Sequence, residues 1–137
     1  WGEDAPNSAP HSIVSERLID PNWGFRGSTG VFSTVDDLHK WNIALAKDFL
    51  ISDKTHRTVL HPHFRRTERH SYGYGWQVLQ LKRDNDTYMH AGVDDLLNHN
   101  AVLYRSYDGR TAVIILADCD EDTFISLHRE IAQVVFL

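Results

Sequence analysis

Ala101-Val102-Leu103-Tyr104-Arg105-Ser106-Tyr107-Asp108-Gly109-Arg110-Thr111-Ala112-Val113-Ile114-Ile115-Leu116-Ala117 decides the fold. Two apolar, β-branched runs, Ala101–Tyr104 and Thr111–Ala117, flank a polar link whose Asp108-Gly109 is a strong hairpin-turn signal. The second run shows no polar alternation. A strand of that kind is covered on both faces, so something must pack on each side of the sheet that holds it. Upstream, Tyr74, Trp76 and Val78 alternate with Gly75, Gln77 and Leu79, which reads as one half-buried strand from Tyr72 to about Leu81. Lys82 to Asp86 reads as a polar turn, and Thr87 to His90 as the returning strand.

Helical signals flank these strands. Ser33 or Thr34 can cap a helix in which Asp36 and Asp37 sit at the positive end and Val35, Leu38, Trp41 and Leu45 repeat at helical spacing. A shorter helix runs from Ser52 as cap to about Leu60 and stops near Pro62. After the hairpin, Asp120, Glu121 and Asp122 open a last helix with Phe124, Leu127, Ile131 and Val134 on one stripe. Residues 1–30 are rich in Pro, Asn, Asp, Ser and Gly and read as an extended loop or arm. The order of loop, helices, antiparallel strands and helix gives an α+β class, with packed helices on an antiparallel sheet over 31–137.

Composition narrows the functions. A chain of 137 residues with 42% hydrophobic and 24% charged residues is an ordinary globular composition of about one domain. The formal charge of −5 argues against nucleic acid, whose phosphates demand a basic stripe. No run of 18 apolar residues is present to span a membrane. Cys119 is the single cysteine, which excludes an internal disulfide framework, and it reads as a small core residue. The opening Trp1-Gly2-Glu3-Asp4 lacks the basic start and apolar run of a signal peptide, and the missing Met leads us to expect an upstream part.

Nine histidines raise a metal site, and His61-Pro62-His63 with His70 is its best cluster. The neighbouring Arg65-Arg66-Thr67-Glu68-Arg69 is strongly charged and reads as a solvated loop, so no metal and no cofactor is expected. Asn85-Asp86-Thr87 fits a glycosylation sequon but reads more simply as a turn. None of the nine serines has Lys three residues later, and no Gly-x-Ser-x-Gly elbow occurs. On its own residues the chain offers no activated nucleophile.

One ordered series remains: Gly30-Val31-Phe32-Ser33-Thr34-Val35-Asp36-Asp37-Leu38-His39-Lys40-Trp41, then Tyr72-Gly73-Tyr74-Gly75-Trp76, then His90-Ala91-Gly92, then the Ala101–Ala117 hairpin. It resembles the C-terminal half of a serine β-lactamase-like hydrolase, of the class C β-lactamase, D-alanyl-D-alanine carboxypeptidase and esterase superfamily, from about residue 21 to 137. The resemblance implies a partial β-lactamase/transpeptidase-like fold. It also implies three converging motifs, Ser-x-x-Lys, Tyr-x-Asn and a Lys-Thr-Gly or His-x-Gly triplet. By that likeness His90-Ala91-Gly92 is the third motif. His90 would serve beside the substrate carboxylate or leaving group, and Ala91 and Gly92 would leave room for substrate along the strand. The Val93 N–H would be one of two oxyanion donors.

Two departures stand out. Asp94 and Asp95 put negative charge beside that donor, and Ala91 lacks the hydroxyl of a Lys-Thr-Gly triplet. Both fit an esterase-like, relaxed or degenerate site better than β-lactam or D-Ala-D-Ala specificity. The resemblance implies a small-molecule or peptide substrate for the complete enzyme and a periplasmic or secreted location. It further implies that this chain, lacking the nucleophile, is inactive by itself. It would then complement a missing N-terminal half or self-associate into an oligomer. The alternative is a non-catalytic module that binds a peptide or partner chain along its sheet edge.

Overall fold

The computed structural model describes residues 31–47, 49–82, 85–94 and 98–136, so the reading of residues 1–30 as an arm lies outside the described residues. Helix α1 (Val35–Ala46) and helix α2 (Asp53–Leu60) precede six strands: β1 (Phe64–Thr67), β2 (His70–Tyr72), β3 (Gln77–Lys82), β4 (Asn85–Gly92), β5 (His99–Ser106) and β6 (Ala112–Asp118). Helix α3 (Glu121–Phe136) follows. The strands pair antiparallel in chain order from β1 to β6, a simple meander. This is the α+β arrangement expected from the hairpin and its flanking helices.

Both caps are where the sequence puts them. Thr34 accepts from the Asp37 N–H at 3.1 Å, and Ser52 accepts from the Thr55 N–H at 3.2 Å, each satisfying a helix-start donor. Alternate residues of the central strands feed two apolar clusters. Tyr88 and Leu103 join Leu45 of α1, Leu60 of α2, Trp76 and Val78 on one face. Met89, Val102, Tyr104 and Val113 join Phe124 and Ala132 of α3 on the other. Ala112 and Ile114 pack toward the first cluster and Ile115 and Ala117 toward the second, so β6 is covered on both faces as its unbroken apolar run requires.

A buried polar knot ties the helices to the hairpin tip. Asn42, on α1, donates to the Gly109 carbonyl at 2.9 Å. Fully buried Arg105 donates to His56 Nε2 at 3.0 Å and to the Tyr107 carbonyl at 3.3 Å, with its guanidinium 5.8 Å from the Trp76 ring. Burial works against the guanidinium charge and lowers its pKa, so these neutral partners and the Trp76 ring replace the water it has lost.

Several expectations change. The single strand from Tyr72 to Leu81 is two strands separated by a turn over Gly73–Trp76, because Gly75 takes a left-handed φ of 77°. The charged stretch after His63 is a hairpin, β1–β2, and not a loop. Strand β3 runs to Lys82 and β4 starts at Asn85, inside the span read as a polar turn, and Asn85-Asp86-Thr87 opens β4 with Thr87 buried. The stripe predicted for the last helix holds at Phe124, which is buried, and at Ile131, which packs on the same cluster. Its other two members, Leu127 and Val134, are exposed, and His128 and Ala132 are buried instead.

Candidate active site

The candidate residues occupy the end of β4, where that strand outruns its neighbour. Pairing of β4 with β3 stops at Gln77 opposite Met89. Pairing with β5 continues through His90 opposite Leu103, Ala91 opposite Val102 and Gly92 opposite Ala101. Along His90–Gly92 the β3-side edge therefore has no strand partner among the described residues. A bare strand edge of this kind can accept an extended chain by main-chain hydrogen bonds.

The three side-chain positions do not share one environment. His90 is exposed and lies on the α1–α2 face, in register with Tyr88 and Leu103. Its Nδ1 lies 2.6 Å from the Gly75 carbonyl. Ala91 points to the opposite face and packs against the Met89–Phe124 cluster, so its methyl group lines the core there and not the His90 face. Gly92 is exposed, and a Cβ built on it would meet nothing within 4 Å. Neither packing nor backbone conformation among the described residues demands a glycine there.

Val93 follows, 41% exposed, and the N–H of Asp94 donates to Asn100 Oδ1 at 3.4 Å. Asn100 is buried and donates in turn to the carbonyls of Asn98 at 3.3 Å and Cys119 at 2.7 Å. It thereby anchors the far side of the link from β4 to β5, a part that the sequence reading missed. The only sequence signal for it is an Asn immediately ahead of the apolar Ala101–Tyr104 run. Asp95, the second acid beside the oxyanion donor, lies outside the described residues.

Behind His90, Tyr88 is buried and its phenol is pushed up to about 12, by burial foremost and then by the charge of Asp86. It stays neutral and supplies no anion or base beside the imidazole. The turn that carries Gly75 is pinned at both ends. The Gly73 N–H donates to the Trp76 carbonyl and the Tyr74 N–H to the Val59 carbonyl, each at 2.8 Å. A Cβ on Gly73 would collide with the Val59 carbonyl oxygen, so this glycine is required for the turn to sit on the end of α2.

The histidines weighed as metal ligands have other partners. His63 Nε2 lies 2.7 Å from the Thr58 carbonyl, and its ring stands 4.2 Å from Tyr74. His70 Nε2 is 2.7 Å from Gln77 Oε1. The His61 and His63 rings meet edge-on at 5.2 Å. Among the described residues no three His, Cys, Asp or Glu side chains converge on one point, and no helix is long and apolar enough to cross a membrane.

Comparison with known proteins agrees with this architecture. A penicillin-binding protein from Bacillus halodurans superposes with a TM-score of 0.61 at 20% sequence identity, over 72% of this chain and 30% of that one. The chain thus spans under a third of that protein's length. No curated protein matches significantly. The β-lactamase family model matches residues 1–136, and with nearly the whole sequence accounted for in this way, the chain belongs to the β-lactamase family.

Proposed function

We propose that this chain is the sheet portion of a β-lactamase-family serine hydrolase and contributes the third motif of its site, His90-Ala91-Gly92 with the Val93 N–H. The observation that carries this reading is the unpaired edge of His90–Gly92, where β4 continues beyond β3 but remains tied to β5. An extended substrate lying antiparallel on that edge would put its reactive carbonyl near the Val93 N–H and within reach of His90. Gly92 keeps the approach clear, and the methyl of Ala91, turned to the other face, offers the substrate no hydroxyl. The nearby acid Asp94 disfavours a carboxylate-bearing substrate and so favours an ester over a β-lactam or a D-Ala peptide.

Acyl transfer also needs an activated nucleophile, and no Ser-x-x-Lys is present among these 137 residues. The proposal is therefore that these residues alone do not hydrolyse a chromogenic β-lactam or a p-nitrophenyl ester above background. Ser-x-x-Lys and Tyr-x-Asn would be supplied by further polypeptide, and the complete enzyme would act in the periplasm or outside the cell. Reading the coding sequence ahead of Trp1 is the first test. Both motifs in frame would support the enzyme, and a mass increase on a serine of the 137-residue chain treated with a β-lactam would overturn the division of labour.

A second reading, a non-catalytic module that captures a peptide or partner chain, rests on the other sheet edge. Strand β6 has no partner on its outer side among the described residues and carries Leu116 at 41% exposure. An upstream sequence without either motif would favour it.

A further inference from the structure

His90 reaches back to the turn before β3, and that contact fixes more than its direction. A carbonyl oxygen has no proton to give, so with Nδ1 at 2.6 Å from the Gly75 oxygen, Nδ1 carries the hydrogen. This holds in both charge states of the ring. Neutral imidazole then keeps its single proton on Nδ1, and imidazolium adds the second on Nε2. Nε2 makes no hydrogen bond among the described residues, and the ring is exposed.

The acceptor is held in place from three sides. Gly75 adopts a φ of 77°, which turns the chain between Tyr74 and Trp76. Trp76 is buried and stacks on Trp41 with ring centroids 5.9 Å apart. Tyr74 is tied to the Val59 carbonyl at the end of α2. The Gly75 oxygen is thus a rigid part of the fold, and His90 adapts to it.

We infer that Gly75 is a positioning residue for the candidate site. Its carbonyl fixes His90 as the Nδ1–H tautomer, so that Nε2, the nitrogen left for a ligand, is a lone pair whenever the ring is neutral. A lysine at this place would present a standing cation to a substrate carboxylate. A neutral His90 held in this way presents an acceptor, which suits a hydroxyl or amide N–H on an uncharged substrate and gives a carboxylate nothing to bind. The consequence for substrate rests on the proposed third motif, whereas the tautomer does not.

The test is a long-range proton–nitrogen correlation spectrum of the chain labelled with ¹⁵N-histidine, recorded at a pH where the rings are neutral, with His90 assigned by its loss in His90→Asn. The expected result is a pyrrole-type Nδ1 and a pyridine-type Nε2, the reverse of the tautomer that free imidazole side chains prefer in water. A pyrrole-type Nε2, or two averaged nitrogens, overturns the inference. Gly75→Asn, which tolerates the left-handed turn, is expected to keep the signature, and Gly75→Val to lose it. A folded Gly75→Val variant with unchanged His90 signals denies the role of Gly75. Should that variant not fold, the wild-type and Gly75→Asn spectra decide alone, and an Nε2–H or averaged His90 in either is fatal. The third-motif reading fails separately, when His90→Ala in the enzyme carrying the upstream nucleophile leaves ester hydrolysis unchanged.

Discussion

Gly109 turns the β5–β6 hairpin at a φ of 67° directly beneath α1, and a Cβ there would stand 3.0 Å from the Ala46 Cβ, 3.1 Å from Arg105 Nη2 and 3.2 Å from the Asn42 carbonyl oxygen. Strain in the left-handed region and crowding against backbone act together. Gly109→Ala is expected to cost about 1–3 kcal/mol, read as a lower urea midpoint with an unchanged m-value. The Asp-Gly pair announces this turn in the sequence, but the crowding belongs to the fold alone. His128 is a second case. It is buried with Nδ1 2.8 Å from the Tyr104 hydroxyl, and burial foremost, then the charge of Arg129, pushes its pKa below the ordinary 6.5. The unfolded ring takes up a proton at a pH where the folded ring does not. Stability from this residue is therefore full above about 6.5 and declines as the pH falls from there toward the lower folded value. His128→Gln is expected to remove up to one proton from the dependence of the unfolding midpoint on pH below 6.5, and an unchanged slope would refute it. A histidine flanked by Arg129 and Glu130 in an amphipathic helix gives no sign in the sequence that it is core, because its burial depends on a hydroxyl 24 residues away.

Among the elements, periodicity exposed what propensity could not orient. In α3 the spacing of Phe124, Leu127, Ile131 and Val134 is helical, and the helix is there, yet the buried line runs Phe124, His128, Ala132. The packed face is chosen by what fits over Tyr104 and Val113, where Ile131 joins a small Ala132 and a hydrogen-bonding His128 while Leu127 and Val134 are left outside. Val134→Ser, at 87% exposure, is accordingly expected to change stability by no more than about 0.5 kcal/mol. Ala132→Leu, at 4% exposure, is expected to cost about 1–3 kcal/mol by overpacking. Thermal unfolding of the two variants checks the orientation, and the reverse ranking would restore the stripe read from the sequence. Caps are more legible because they are local: Ser52 serves α2 as its position suggests, and Ser52→Ala is expected to cost about 1 kcal/mol. The break between β2 and β3 stayed hidden because Tyr74, Trp76 and Val78 imitate strand alternation across a turn that only Gly75 permits. The hairpin β1–β2 stayed hidden for the opposite reason. All four residues of β1 are exposed, so no buried face imprints a period on the sequence. The candidate site inherits these limits: the triplet at the end of β4 is visible as a motif, whereas its unpaired edge and the Gly75 contact arise from where β3 begins.

At the level of the whole molecule, β6 poses an assembly problem. It is seven residues long, its first six residues are apolar, and it pairs only with β5 among the described residues. Natural edge strands are shortened, charged or bulged to prevent pairing with other chains, and β6 has none of these features before Asp118. Leu116 of this strand is 41% exposed on the side of Ala112 and Ile114, and on the other side of the sheet α3 exposes Leu127, Val134 and Val135. A shallow depression of about 300 Å³ runs between Glu130, Ile131, Val134 and Val135 of α3. Exposed apolar surface next to an unpaired edge favours a second chain, since main-chain hydrogen bonds and apolar burial are then gained together. The isolated 137-residue chain is expected to be a dimer or larger at micromolar concentration, with roughly 1,000 Å² or more of surface buried. Ile115→Lys would put a charge on the buried side of β6 and unfold the chain as readily as separate it, so the discriminating change is Leu116→Lys, on an exposed edge position. Light scattering should report a mass above 15.8 kDa for the wild type and a shift toward 15.8 kDa for Leu116→Lys, at unchanged helix content. A wild-type monomer of 15.8 kDa that binds no hydrophobic dye would mean that the edge is satisfied within one chain, and the strand would then owe its apolar character to intramolecular cover alone.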